Sequence, residues 1–141
     1  MICACCRYLV AIIFGGLAAT TLACGYCIED KIAAVYDYQV ITRALSRQHQ
    51  VAFFAVEGTM VAGEKSRRVL QAAVESVAGV DKGSARVSVD PAALSAAFDP
   101  AHASSASMER ALSRKLAVHG LSVTTVRVMD NRSALKSPSN P

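Results

Sequence analysis

The spacing of apolar and polar positions changes period several times between Gln50 and Met129. Val51 to Val56 is an unbroken apolar run, which predicts a central strand buried on both faces. Glu57 to Gly63 interrupts it. Val69, Leu70, Ala73, Val74 and Val77 then fall at helical spacing between Lys65 and Ala78, and Gly79 supplies the residue that tolerates a left-handed helix end. Ala85, Val87 and Val89 alternate with Arg86, Ser88 and Asp90, the pattern of a half-buried strand that Pro91 ends. Leu94, Ala96 and Phe98 alternate in turn, so the two runs predict an antiparallel hairpin. After Asp99-Pro100, one of Ser104, Ser105 or Ser107 caps a helix with Met108, Ala111, Leu112 and Leu116 on one side, stopped by Gly120. Leu121 to Met129 is the last strand, and its parity slips between Val123 and Val126, which predicts a bulge or an edge position.

Upstream, Ile28, Ile32, Val35, Tyr36, Ile41, Ala44 and Leu45 mostly keep helical spacing, with Glu29 and Asp30 in the first turn and Arg43 and Arg47 in the last. This predicts an amphipathic helix over 28–47, with an interruption near Asp37 to Gln39 as a variant. Its apolar stripe must either cover the following domain or pair with a second copy. The segment 131–141 is polar with two prolines and reads as a disordered tail.

Short motifs then narrow the fold. Val56-Glu57-Gly58 ends a strand in glycine, Val77-Ala78-Gly79-Val80 forms a turn, Phe98-Asp99-Pro100 leads into the second helix, and His119-Gly120-Leu121 precedes the last strand. In this order they resemble the heavy-metal-associated domain of copper chaperones and metal-pumping ATPases. The resemblance implies an α+β, ferredoxin-like βαββαβ two-layer sandwich over 50–130, here with an additional N-terminal helix. Members of that family hold soft metals with a Met-Thr-Cys-x-x-Cys loop. Aligning Gly58 with the family glycine puts the two ligand positions on Val61 and Glu64, neither of which replaces a thiolate for Cu(I). Met60 is a thioether in the corresponding loop, and the resemblance implies that it packs into the core.

The first 23 residues carry different information. Arg7 and the amino terminus give a weakly positive start, and Tyr8 to Ala23 is apolar but shorter than the roughly 20 residues of a spanning helix. Residues 1–23 are expected to be a signal peptide or a lipoprotein leader, since Thr21-Leu22-Ala23-Cys24-Gly25 fits both kinds of cleavage. The expected location is the bacterial cell envelope, periplasmic or lipid-anchored, with membrane contact only through the leader or lipid on Cys24.

Chemistry is sparse in the remaining residues. Cys24-Gly25-Tyr26-Cys27, at the entrance to the 24–49 segment, is a paired-thiol motif suited to a two-thiolate metal site or a redox disulfide. A fold-back of the first helix would bring Cys24 and Cys27 beside Met60 and make a relocated site for Cu(I) or another soft ion. His49, His102 and His119 show no ligand spacing, and Arg67 and Arg68 read as the solvated face of a helix. The net charge of +4 is spread along the chain and interleaved with acids, which argues against nucleic acid. The function expected is a non-enzymatic exported module that contacts a protein partner or itself. A soft-metal protein using Cys24 and Cys27 is the alternative, and a thiol-disulfide oxidoreductase the second.

Overall fold

The computed structural model describes residues 27–134. Two short helices, α1 (Ile28–Ala34) and α2 (Tyr38–Ser46), precede β1 (Gln50–Glu57), α3 (Glu64–Glu75), β2 (Arg86–Val89), β3 (Ala92–Phe98), α4 (Ser105–Leu116) and β4 (Ser122–Met129). The four strands form one antiparallel sheet in the order β2-β3-β1-β4. From β1 onward this is the expected ferredoxin-like order, with β1 and β3 in the centre.

Strand β1 is buried on both faces, as its unbroken apolar run requires. Ala52, Phe54 and Val56 join Leu70 and Val74 of α3 and Met108, Leu112 and Leu116 of α4 in the larger core. Val51 and Phe53, on the opposite face, join Ile32, Val35, Val40, Ile41 and Ala44 of the N-terminal helices. The additional N-terminal element is therefore a third layer on the sheet's second face. It comprises two helices, because Asp37 accepts hydrogen bonds from the Gln39 and Val40 N–H groups at 2.9 and 3.0 Å and so starts α2 afresh.

That third layer changes the reading of β3. Ser95 stands at a polar position of an alternating strand, yet it is 2% exposed and its hydroxyl donates to the Val35 carbonyl at 2.7 Å. Asp37 also pairs with Arg86 of β2, Nε to Oδ2 at 2.8 Å, and Glu29 pairs with Arg127 of β4 at 2.7 Å. The layer is thus tied to both edge strands as well as to the centre.

Strand β4 shows both features foreseen in its parity slip. It lies at an edge, and its register with β1 shifts between Phe53 and Phe54, so that Arg127 and Thr125 are successive partners and Val126 is extra. At the bulge the Thr125 N–H donates to Glu109 Oε2 of α4 at 2.7 Å. Beyond β4, α5 (Asn131–Ala134) is one helical turn where the sequence suggested the start of a disordered tail. Asp130 accepts from the Ser133 N–H at 2.7 Å, and Asn131 Nδ2 donates to the Leu45 carbonyl at 3.1 Å.

Candidate functional site

Gly58 and Gly120 create the end of the molecule that presents the loop after β1. Gly58 has φ +124°, and a Cβ there would lie 2.5 Å from the Gly120 carbonyl oxygen. The close backbone approach sets the β1–α3 loop beside the turn at Ala117–His119, a short 3-10 segment closed by left-handed Gly120. Between them is a cavity of about 400 Å³, lined on its apolar side by Met60, Val61, Val69 and Leu121 and on its polar side by Lys65 and His119. Val61 and Val118, in the loop and the turn respectively, are each 82% exposed. The Ser66 hydroxyl also lines this cavity and is committed to the Val61 carbonyl, to which it donates at 2.7 Å.

The sequence-derived ligand residues have separate surroundings. Met60 is half-buried and packs against the α3–α4 core, as the resemblance implied. Cys27 is an exposed free thiol at the start of α1, in the opposite layer, and both its thiol and its N–H donate to Asp30 Oδ2 at 3.2 Å. Cys24 lies outside the described residues. Of the two aligned family positions, Val61 faces solvent and Glu64 pairs with Arg68 at 3.1 Å. Among the described residues, no group of three or more His, Cys, Asp and Glu side chains is placed to hold a metal ion. Nor is any helix among them long and apolar enough to cross a membrane.

Two constellations were not visible in the sequence. His49 Nδ1 lies 2.7 Å from Asp81 Oδ2, and His102 Nδ1 lies 2.9 Å from Asp99 Oδ2, with His49 Nε2 3.8 Å from the same Asp99 oxygen. These contacts tie the entrance of β1 to the loops after α3 and β3. The Ala101 N–H, then His102, hold the Asp99 carboxyl below its ordinary value. The second constellation involves Arg67, whose Nη1 donates to the Val87 carbonyl of β2 at 3.3 Å. Arg67 is therefore more than the solvated helix face its spacing suggested, since it reaches an edge strand.

No protein-family model matches the chain, and no curated protein does. Solved structures similar to it include the following three. A copper-binding domain from HMA7, a P-type ATPase, is 19% identical with a TM-score of 0.46, covering 56% of this chain and 96% of that one. Oxidized MerP from Ralstonia metallidurans CH34 is 20% identical with a TM-score of 0.44, covering 56% and 99%. A CopZ metallochaperone is 23% identical with a TM-score of 0.41, covering 52% and 98%. Likeness at these values says nothing about the site.

Proposed function

We propose that this chain is a non-enzymatic, exported interaction module of the cell envelope, whose contact surface is the loop end containing Val61 and Val118. One observation carries the reading: Val61, 82% exposed, lines the cavity with Met60, Val69 and Leu121, and the equally exposed Val118 lies in the adjoining turn, next in sequence to the lining residue His119. Scattered apolar residues on a surface are ordinary, but apolar side chains grouped around a concave site mark a contact surface. Export rests on the leader pattern of residues 1–23.

A photo-crosslinking residue at Val61 or Val118 should trap one discrete species in cells, either a partner protein or a second copy of the chain. The control position is Tyr38, also highly exposed but on α2. Equal crosslinking from all three positions, or none from Val61 and Val118, would refute the assignment.

The competing reading is a soft-metal protein using Cys24 and Cys27, without Met60, favoured by the exposed, free Cys27 thiol. Anaerobic Cu(I) titration of the reduced chain decides it. One tightly bound ion, lost in the double variant Cys24→Ser, Cys27→Ser, would establish metal handling, and unchanged affinity in that variant would exclude this site.

A further inference from the structure

A second cavity, of about 550 Å³, opens at the β2 edge between the two helical layers. The end of α1 and the α1–α2 corner supply Tyr36 and Asp37, α3 supplies Arg67 and Gln71, and β2 supplies Arg86 and Val87. Its volume lies within the range of small-molecule sites. Two guanidinium groups that are far apart in sequence line this one space.

They are held differently. Arg86 is largely committed: Nε donates to Asp37 Oδ2 at 2.8 Å, and Nη1 donates to the Gly83 and Ala85 carbonyls at 3.0 and 2.8 Å. Its charge is matched by Asp37. Arg67 is anchored at one corner only, where Nη1 donates to the Val87 carbonyl at 3.3 Å. Among the described residues no acceptor engages Arg67 Nε or Nη2, which together form the side of a guanidinium that grips a carboxylate with two parallel hydrogen bonds. The lining thus carries one uncompensated positive charge, borne by an exposed side chain that a backbone contact tethers at one nitrogen. Tyr36, 48% exposed, stands at the rim of the same cavity, whose lining is mainly polar.

We propose that this cavity binds a small carboxylate, for which benzoate serves as the probe. The Nε–Nη2 side of Arg67 holds the carboxylate, and Arg86 Nη2 is a further donor. One negative charge answers the one uncompensated guanidinium. Anchoring Arg67 to Val87 beforehand reduces the side-chain ordering that binding would otherwise require.

The test is a titration of the isotopically labelled full chain with benzoate, followed by amide and arginine Nε–H resonances. Benzamide, which has the same shape without the charge, is the control. Saturable shifts confined to Tyr36, Arg67, Gln71, Arg86 and Val87 are expected with benzoate and not with benzamide. Arg67→Lys keeps the charge but loses the two-pronged donor and should weaken binding by about tenfold. Arg68→Lys, on the same helix and paired with Glu64, should leave binding unchanged. The spectrum of each variant reports directly whether it is folded. Equal binding of benzamide, unchanged affinity in folded Arg67→Lys, or no saturable benzoate shifts around Arg67 would each overturn the proposal.

Discussion

Replacing Ser95 with Ala isolates the contact between the N-terminal layer and the sheet. The Ser95 hydroxyl donates to the Val35 carbonyl at 2.7 Å, with Ser95 2% and Val35 3% exposed. Removing a hydroxyl leaves almost the same shape, so no sizeable cavity contributes. What remains is the loss of one hydrogen bond and a buried carbonyl left without its side-chain donor. A typical intramolecular hydrogen bond contributes about 0.5–1.5 kcal/mol net, but an acceptor stranded away from water costs about 1–3 kcal/mol. Because both residues are buried, the higher range applies, and Ser95→Ala should destabilise the fold by about 1–3 kcal/mol. Urea unfolding followed by far-UV circular dichroism would show this as a lower midpoint with an unchanged slope. The amides of α1 and α2 should lose hydrogen-exchange protection at least as much as those of α4, since the lost bond belongs to their layer. A change below about 0.5 kcal/mol with the slope preserved would refute the reasoning, because it would mean that water reaches the Val35 carbonyl.

Other substitutions separate core from surface. Ile32→Glu should abolish folding and Tyr36→Glu should not, because Ile32 is 5% exposed within the core and Tyr36 is 48% exposed; thermal melts of the single variants check this. Gly79→Ala should cost about 1–3 kcal/mol in urea unfolding, since φ there is +89° and the new Cβ would lie 2.6 Å from that of Ala103. Stability should hold at neutral pH and decline in acid. Asp37 is held below its ordinary value by the Val40 N–H and Arg86, Asp99 by the Ala101 N–H and His102, Glu109 by Thr125, and Asp130 by Ser133. The unfolded chain therefore takes up protons first. The stabilisation is complete above ordinary carboxylate values of about 3.9–4.3 and is lost as pH falls through the lowered folded values. A urea midpoint that stays constant from neutral pH to below those values would contradict this.

The order of strands and helices was legible because each depends on local spacing. The break at Asp37 was also foreshadowed, since aspartate readily caps a helix. The third layer was harder to read. Ala93, Ser95 and Ala97 of β3 look like the wet side of an alternating strand, and only the helices that cover them show otherwise. The candidate surfaces were less legible still. Val61 and His119 come to line one cavity through the approach of Gly58 to Gly120, and the Asp37–Arg86 pair spans 49 positions. No period or motif encodes such meetings. The parity slip near Val126 did locate a bulge, but gave no hint that Glu109 would serve its backbone.

Arg67 and Glu109 each reach the backbone of an edge strand. Arg67 occupies a carbonyl of edge strand β2, and Glu109 occupies an N–H of edge strand β4. Open sheet edges are templates on which other chains can extend a sheet, and a side chain already seated there blocks the first rung. In a crowded compartment, these two plugs would slow copies of this protein from zipping together into fibres. Neutralising both, with Arg67→Ala and Glu109→Ala, would leave most of the packed core intact while exposing β-sheet templates at opposite edges.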